Sequence, residues 1–262
     1  MSVTRLFVAA DLAHASDVAL SEAQAHHLRH VMRRENGAPV LLFNGRDGEW
    51  RATLGLRGKK GAVATVGERT REQVAEPDLW LCFAPIKRAR IDYIAEKATE
   101  LGVAVLQPVL TQHTAVDRVN VERLRANAIE AAEQTERLTV PDVRAPVDLM
   151  KLLGGWPAGR RLLMCDETGG GAPIGSVLGT LDERARAAPW AIVIGPEGGF
   201  AEGELAALRR ISDVTAVGLG PRILRADTAA LAALACWQAM VGDWQKPTPR
   251  LANDFRTFRA TA

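Results

Sequence analysis

Two glycine-rich stretches carry the residues best suited to chemistry. Gly195-Pro-Glu-Gly-Gly-Phe200 follows the apolar run Trp190–Ile194, and Gly218-Leu-Gly-Pro-Arg-Ile-Leu-Arg225 ends the run that begins at Val214. Short apolar runs bounded by glycine and proline read as buried strands. Ligands of open parallel sheets sit outside the carboxyl ends of the strands. Glycine lets the backbone approach such a ligand closely and present its N–H and C=O groups. The pattern therefore offers a backbone-lined site with Arg225 and Asp227 at its rim. Asp227 equally qualifies as a cap for the helix that follows. The plainer alternative is a pair of tight strand-to-helix turns, and spacing alone leaves both open.

Pattern argues against several ligands. The second loop begins G-x-G, but Ile223 stands where a dinucleotide fingerprint needs its third small residue, and no acid follows at the required distance. No phosphate-binding G-x-x-x-x-G-K-[ST] occurs. His26 and His30 form an i,i+4 pair with His27 beside them, yet no acid or thiol stands close enough in sequence to complete a metal site, so no metal is expected.

The chain that must position these residues has 262 residues, 47% hydrophobic and 24% charged, an ordinary globular composition. No run approaches the roughly 18 apolar residues of a membrane span. The start has neither the apolar core nor the cleavage site of a signal peptide, which points to the cytoplasm. Three cysteines without a C-x-x-C suggest neither disulfides nor zinc, and are read as small buried filler. Net charge is +2, but residues 1–70 hold ten Lys/Arg against seven Asp/Glu and four of the five histidines. A mildly basic front end is compatible with nucleic acid and equally with a solvated surface.

Residues up to about 66 read as β-rich with one helix. Ser21-Glu-Ala-Gln24 predicts a capping box opening a helix to about Met32, and strands are expected at Val40–Phe43, Trp50–Leu54 and Ala62–Val66. The polar stretch 67–77, ending in Pro77, reads as a linker. Strands and helices then alternate. Strands are expected at Leu79–Ala84, Val103–Leu106, Arg161–Cys165, Trp190–Ile194 and Val214–Leu219. Helices are expected at Lys87–Leu101, from Asn120 to about Leu138, at Glu202–Ile211 and at Thr228–Val241. This predicts a small barrel or sandwich, followed by an α/β unit with a parallel sheet covered on both faces.

The two loops, followed by Ala226-Asp-Thr-Ala-Ala230, resemble those of the SPOUT-class 16S ribosomal RNA (uracil-N3)-methyltransferases. His27-Leu-Arg-His-Val-Met-Arg33, Arg90-Ile-Asp-Tyr-Ile-Ala-Glu-Lys-Ala-Thr-Glu-Leu-Gly-Val103 and Glu130-Ala-Ala-Glu-Gln-Thr-Glu-Arg137 are similar to further stretches of that family, so the resemblance runs from about residue 4 to 245. It implies a PUA-like β-barrel over 1–72 and a trefoil-knotted α/β methyltransferase domain over 73–262. It also implies S-adenosylmethionine as cofactor, a homodimer, and a uridine of the 30S subunit's 16S rRNA as substrate, with no membrane and no metal involved. On this resemblance the cofactor falls to Gly195, Pro196, Glu197, Gly198, Gly199, Leu219, Gly220, Ile223, Leu224, Arg225, Thr228 and Ala229. Arg225 and Asp227 become the catalytic candidates, and His27, Arg29, Arg33, Arg34 and Arg88 the RNA-binding ones. Rival readings are an RNA-binding protein without catalysis and a SPOUT enzyme acting on tRNA.

Residue chemistry is compatible. An adenine edge can be read by loop N–H and C=O groups, and Arg225 can steady negative charge on a uracil that loses its N3 proton. Asp227 at an ordinary carboxylate pKa is a poor base at neutral pH. Two positions depart from the family pattern. Asp227 stands in place of the usual Glu, and Ala201 replaces a Ser or Thr, breaking a capping box with Glu204 at an expected cost of about 1 kcal/mol to that helix start.

Overall fold

The computed structural model describes residues 3–58, 60–116, 118–166 and 168–246, without the side chains of residues 88 and 89. Five strands make the first sheet: β1 (Thr4–Phe7), β2 (Asp17–Leu20), β3 (Pro39–Phe43), β4 (Glu49–Arg57) and β5 (Gly61–Arg71), in the order β1-β3-β4-β5-β2. Their inward residues, among them Leu6, Val18, Leu42, Leu54 and Val66, form one apolar core with Ala25 and Leu28 of a helical segment. That segment is α1 (Glu22–His26), opened by the expected capping box of Ser21 and Gln24, and it continues as a π-turn over His27–Val31.

Two short strands, β1 and β2, have no clear signal in the sequence: four residues are too few to display alternation. The linker expected at 67–77 needs correction, because β5 continues to Arg71. Polar cross-strand pairing carries it there. Arg69 lies opposite Trp50 and stacks on its ring at 5.8 Å, and the Thr70 hydroxyl donates to the Glu49 carboxylate at 2.9 Å.

The second sheet has β6 (Leu79–Phe83), β7 (Val105–Leu110), β8 (Asp142–Val143), β9 (Val147–Asp148), β10 (Arg161–Cys165), β11 (Ala172–Pro173), β12 (Trp190–Ile194) and β13 (Val214–Gly218). Every pairing is parallel, in the order β11-β13-β10-β12-β6-β7-β8, with β9 beside β7. β6 and β12 are buried along their whole length, as expected of strands covered on both faces. The covering helices are α2 (Arg88–Glu100), α3 (Val121–Gln134), α4 (Leu149–Gly154), α5 (Ile174–Gly179), α6 (Glu183–Ala187), α7 (Glu202–Leu208) and α8 (Ala226–Met240). One core, with Leu81, Ile94, Ile192 and Trp237, lies under α2, α3, α5 and α8; the other, with Cys82, Met164, Val193 and Leu208, lies under α4 and α7.

Several boundaries differ from expectation, α7 ending at Leu208 and not Ile211 among them, and three of the differences have a clear local reason. β7 starts at Val105 because Val103 still belongs to the end of α2: Gly102 turns left-handed at φ +81°, and the Val103 N–H donates to Ala98 O at 3.0 Å. α3 ends at Gln134 and not near Leu138, because Glu136 adopts φ +61° and the Arg137 N–H donates back to Ala132 O at 3.2 Å. α8 begins at Ala226, two positions early, so its cap position is Arg225, which makes no side-chain capping bond, and Asp227 sits in the first turn, where its carboxylate accepts the Thr228 N–H at 2.9 Å.

One buried arginine joins the two sheets. Arg5 on β1 donates through Nε to Glu49 at 2.7 Å, through Nη1 to the carbonyls of Ala132 at 2.8 Å and Glu133 at 3.1 Å, and through Nη2 to Arg137 O at 3.0 Å. It thus satisfies the unpaired carbonyls at the end of α3 and opposes that helix's negative end. Arg5→Ala would take from the buried Glu49 its closest cation, leaving it the Thr70 hydroxyl, and would take a donor from each of these carbonyls. We expect a loss of about 3–5 kcal/mol in denaturant unfolding, as for removal of one member of a buried pair. Glu133, which accepts the Phe7 N–H at 2.9 Å, behaves oppositely. Burial, only partly offset by that bond and by Arg5, raises its pKa. Protonation then favours the fold, so this contribution is present below the ordinary Glu value near about 4.3 and is lost as pH rises through the raised value. Glu133→Gln should remove that loss, flattening the decline of stability in chemical unfolding curves taken upward from about pH 4.3.

Candidate functional site

β12 and β13 flank β10, with Leu163 aligned to Ile192 on one side and to Thr215 on the other. The two glycine loops therefore leave the same sheet edge about 10 Å apart, two strand spacings. Between them β10 is followed directly by Asp166, whose N–H donates to Val217 O at 2.9 Å.

Gly195 and Pro196 are buried, while Glu197 and Gly198 are exposed. Phe200 folds back so closely that a Cβ on Gly195 would stand 2.9 Å from its ring. Gly199 completes the turn at φ +71°, its N–H donating to Pro196 O at 2.9 Å. The broken capping box of α7 is only half broken: Ala201 has no side-chain acceptor, but Glu204 still accepts the Ala201 N–H at 2.8 Å and takes the Gln112 N–H at 2.8 Å with its other oxygen. The expected weakening of this helix start is thereby offset from the neighbouring loop.

In the second loop Leu219 and Leu224 are half-buried. Gly220 sits at φ +99° with open space where a Cβ would be. Ile223 is 93% exposed, the highest exposure of any large hydrophobic side chain among the described residues. Arg225 and Thr228 are exposed and Ala229 half-buried. Asp227, in the first turn of α8, faces Arg90 of α2 at 3.7 Å. Loop and helix start thus bring Gly220, Ile223, Arg225, Asp227 and Thr228 to one edge with the 195–199 turn.

Sequence reasoning missed two residues here. The side chain of Asp166 is 2% exposed; Oδ1 accepts the Thr168 N–H and hydroxyl, while among the described residues Oδ2 has no hydrogen-bond partner and faces the Arg209 guanidinium at 3.7 Å. Its signal was an acid directly after the apolar run Arg161–Cys165. His113, the one histidine outside the front segment, reaches the carbonyls of Gly198 and Gly199 at 3.1 and 3.0 Å. Nothing in its sequence neighbourhood indicates that contact.

The RNA-binding candidates divide. His27 and Arg33 are exposed, Arg33 at φ +51°. Arg29 and Arg34 are half-buried and bond within the sheet, to Gly61 O at 3.4 Å and the Thr4 hydroxyl at 3.2 Å. The Arg88 side chain lies outside the described residues. The His26 and His30 rings stand 4.7 Å apart, and among the described residues no three His, Cys, Asp or Glu side chains gather as metal ligands. Burial pushes the thiols of Cys82 and Cys165 up to about 12, so both are inert filler.

A family model described as an RNA methyltransferase domain matches residues 74–238, and one described as an RNA methyltransferase PUA domain matches residues 20–67. The chain belongs to this RNA methyltransferase family. It is 31% identical to ribosomal RNA small subunit methyltransferase E of Rickettsia conorii, over 90% of this chain and 95% of that one. To the Synechocystis protein of the same name it is 32% identical, over 90% and 78%. Among solved structures it is similar to the Neisseria gonorrhoeae methyltransferase E bound to S-adenosyl methionine, with 28% identity, TM-score 0.81 and coverage of 93% of this chain and 100% of that one. A Legionella pneumophila methyltransferase in complex with the same cofactor gives 26%, 0.80, 93% and 100%.

In this RNA methyltransferase the loop after β10 is held very close to β13. A Cβ on Gly171 would lie 2.4 Å from the Val217 carbonyl carbon, whereas one on Gly175, in α5, would meet nothing within 4 Å. Gly171→Ala should therefore cost about 1–3 kcal/mol in chemical unfolding, as overpacking does. Gly175→Ala should be neutral or stabilising by up to about 1 kcal/mol.

Proposed function

We propose that this protein transfers a methyl group from S-adenosylmethionine to N3 of a uridine in small-subunit (16S) ribosomal RNA. One observation carries the reading: two glycine loops face each other across the end of β10, against the first turn of α8. The names and bound cofactor of the similar proteins support it. The residues present suit that cofactor. Gly220 offers approachable backbone, Ile223 an uncovered apolar surface, and Asp166 a buried carboxylate oxygen lacking a hydrogen bond.

In this reading Gly195, Pro196, Glu197, Gly198 and Gly199 hold the cofactor from one side. Leu219, Gly220, Ile223, Leu224, Arg225, Thr228 and Ala229 hold it from the other. S-adenosylmethionine supplies an electrophilic methyl group on a sulfonium. Arg225, exposed at the head of α8, holds uracil O2 or O4 and stabilises the anion left when the N3 proton departs. Asp227 faces Arg90, an arrangement that suits fixing the helix start better than removing a proton. His27 and Arg33, in and just after the helical segment that packs on the first sheet, contact RNA phosphates, with Arg29 and Arg34 close in sequence to them and Arg88 at the start of α2.

The same proposal includes a cytoplasmic homodimer, a domain boundary at 72/73 and a trefoil knot in the second domain. For the dimer, Leu231, Ala232 and Ala235 of α8 are apolar and half-exposed, and belong to no core cluster. For the knot, α8 leaves the outlying strand β13 and returns to pack on α2 and β12. No helix among the described residues is long and apolar enough to cross a membrane.

Arg225→Ala should fold, bind S-adenosylmethionine in calorimetry and remain dimeric in light scattering. Its single-turnover methyl transfer to 30S subunits should fall about 100- to 1,000-fold. Lys should restore only part, because it keeps the charge and loses the planar fork. A rate within about threefold of wild type, under half a tenfold step of about 1.4 kcal/mol, rejects the role of Arg225. Absence of any methylated uridine with the wild-type protein rejects the function itself.

A further inference from the structure

The loop after β7 is fastened to the first glycine loop at two points. The Gln112 N–H donates to Glu204 Oε1 at 2.8 Å, while Glu204 Oε2 accepts the Ala201 N–H at 2.8 Å. Glu204 is 8% exposed, and its carboxylate draws the two segments together. One residue on, His113 Nδ1 lies 3.1 Å from Gly198 O and 3.0 Å from Gly199 O. A Cβ on Gly198 would stand only 3.2 Å from the His113 Cβ, so glycine is what permits the contact. A carbonyl oxygen only accepts, hence Nδ1 carries the proton in either charge state of the ring. The neutral ring is then the Nδ1–H tautomer.

We propose that His113 is a positioning residue for the cofactor loop: its Nδ1–H sets the directions of the Gly198 and Gly199 carbonyls, and with them the adjoining peptide N–H groups. A trans peptide points its N–H opposite its C=O, so fixing the Gly199 oxygen also fixes the Phe200 N–H. These peptides are flanked by glycine on a turn; the Gly199 N–H is already held by Pro196 O at 2.9 Å, and the bond from His113 adds a fixed direction for both carbonyls. The inference rests on the proposal that residues 195–199 contact S-adenosylmethionine. It goes further by assigning their orientation to a side chain from a different strand's loop. His113 touches the loop and acts on the cofactor only through it.

The test is calorimetric titration of S-adenosylmethionine into the full chain and its variants. His113→Leu keeps most of the bulk and removes the donor; His113→Asn keeps a donor close to the Nδ1 position. We expect about a tenfold loss of affinity for Leu, the size of one hydrogen bond, and less than about threefold for Asn. Turnover at saturating cofactor should change little for either, placing the effect in binding. Leu binding as tightly as wild type overturns the proposal, and so does Asn losing as much as Leu. If the Leu variant melts early, the ring-nitrogen shifts of wild-type His113 decide. A neutral ring protonated at Nδ1 supports the assignment, and one protonated at Nε2 overturns it. Wild-type protein that does not bind S-adenosylmethionine removes the function proposed above together with this inference, whereas an affected or unaffected His113→Leu on a binding wild type bears on this inference alone.

Discussion

Parallel pairing of β12, β10 and β13 is the constraint on which the rest of this molecule depends. Parallel strands all end at one edge, and each must be followed by a crossover that returns the chain to the opposite edge. The strand ends, the loops that leave them and the first turns of α2, α5, α7 and α8 are therefore gathered on one side of the sheet. No residue in either glycine loop brings the loops together. The register of Leu163 with Ile192 and Thr215 does so, through backbone hydrogen bonds that are indifferent to the side chains they carry. What the side chains decide is how closely that edge packs: Gly171 against Val217, Gly195 beneath Phe200 and Gly198 against His113 are contacts a Cβ would disturb.

The first sheet is tied to this frame by a small apolar cluster of Phe43 with Ala132 and Leu138, and by buried charge beside it. Arg5 and Glu49 are both buried, and an isolated buried pair rarely repays its desolvation. Here the guanidinium also answers three main-chain carbonyls at the end of α3, groups that must find a partner whatever else the fold does. Burial lowers the pKa of Arg5 while Glu49 raises it, which is the competition expected of a cation taken out of water and given donors' work to do. A second clasp repeats the idea. Arg137, just past the same helix, donates to Glu76 and to the carbonyls of Thr99 and Val103, holding the segment between the two sheets against α2. Direction comes with these bonds: a guanidinium fork fixes orientation where an apolar contact would leave it free to slide.

Much of this was legible in the sequence, for identifiable reasons. Long buried strands such as Leu79–Phe83 and Trp190–Ile194 announce themselves as unbroken apolar runs between glycine and proline, and Asn120 and Gly102 mark helix ends by chemistry that works locally. The glycine loops were legible because their composition is costly unless something needs the backbone. β1 and β2 were not, being too short to show a period, and the end of β5 was hidden because Glu, Arg and Thr hold it by pairing across the sheet. Arg29 and Arg34 read as RNA-binding candidates, and their bonds to Gly61 O and the Thr4 hydroxyl join segments that no spacing rule connects. His113 and Asp166 were beyond reach for a common reason: each gains its meaning from a segment at least 43 positions away, and no spacing rule connects them.

The head of α8 breaks two local rules at once. A helix N-terminus carries partial positive charge and favours an acid or a Ser, Thr, Asp or Asn cap. Here the cap is an exposed arginine that makes no side-chain capping bond, placed where its charge is unfavourable by about 0.3–1 kcal/mol. Just before it Gly220 holds a left-handed backbone and Ile223 stands in solvent. Asp227 in the first turn partly offsets the misplaced charge, and Arg90 approaches that same acid from α2. A sequence selected for stability alone would place Ser or Asp at 225 and a polar residue at 223. Breaches of local preference concentrate where a chain does something other than fold. These lie in the one loop whose neighbours across β10 are already committed to glycine, so the departures on the two sides share a single ligand-sized edge.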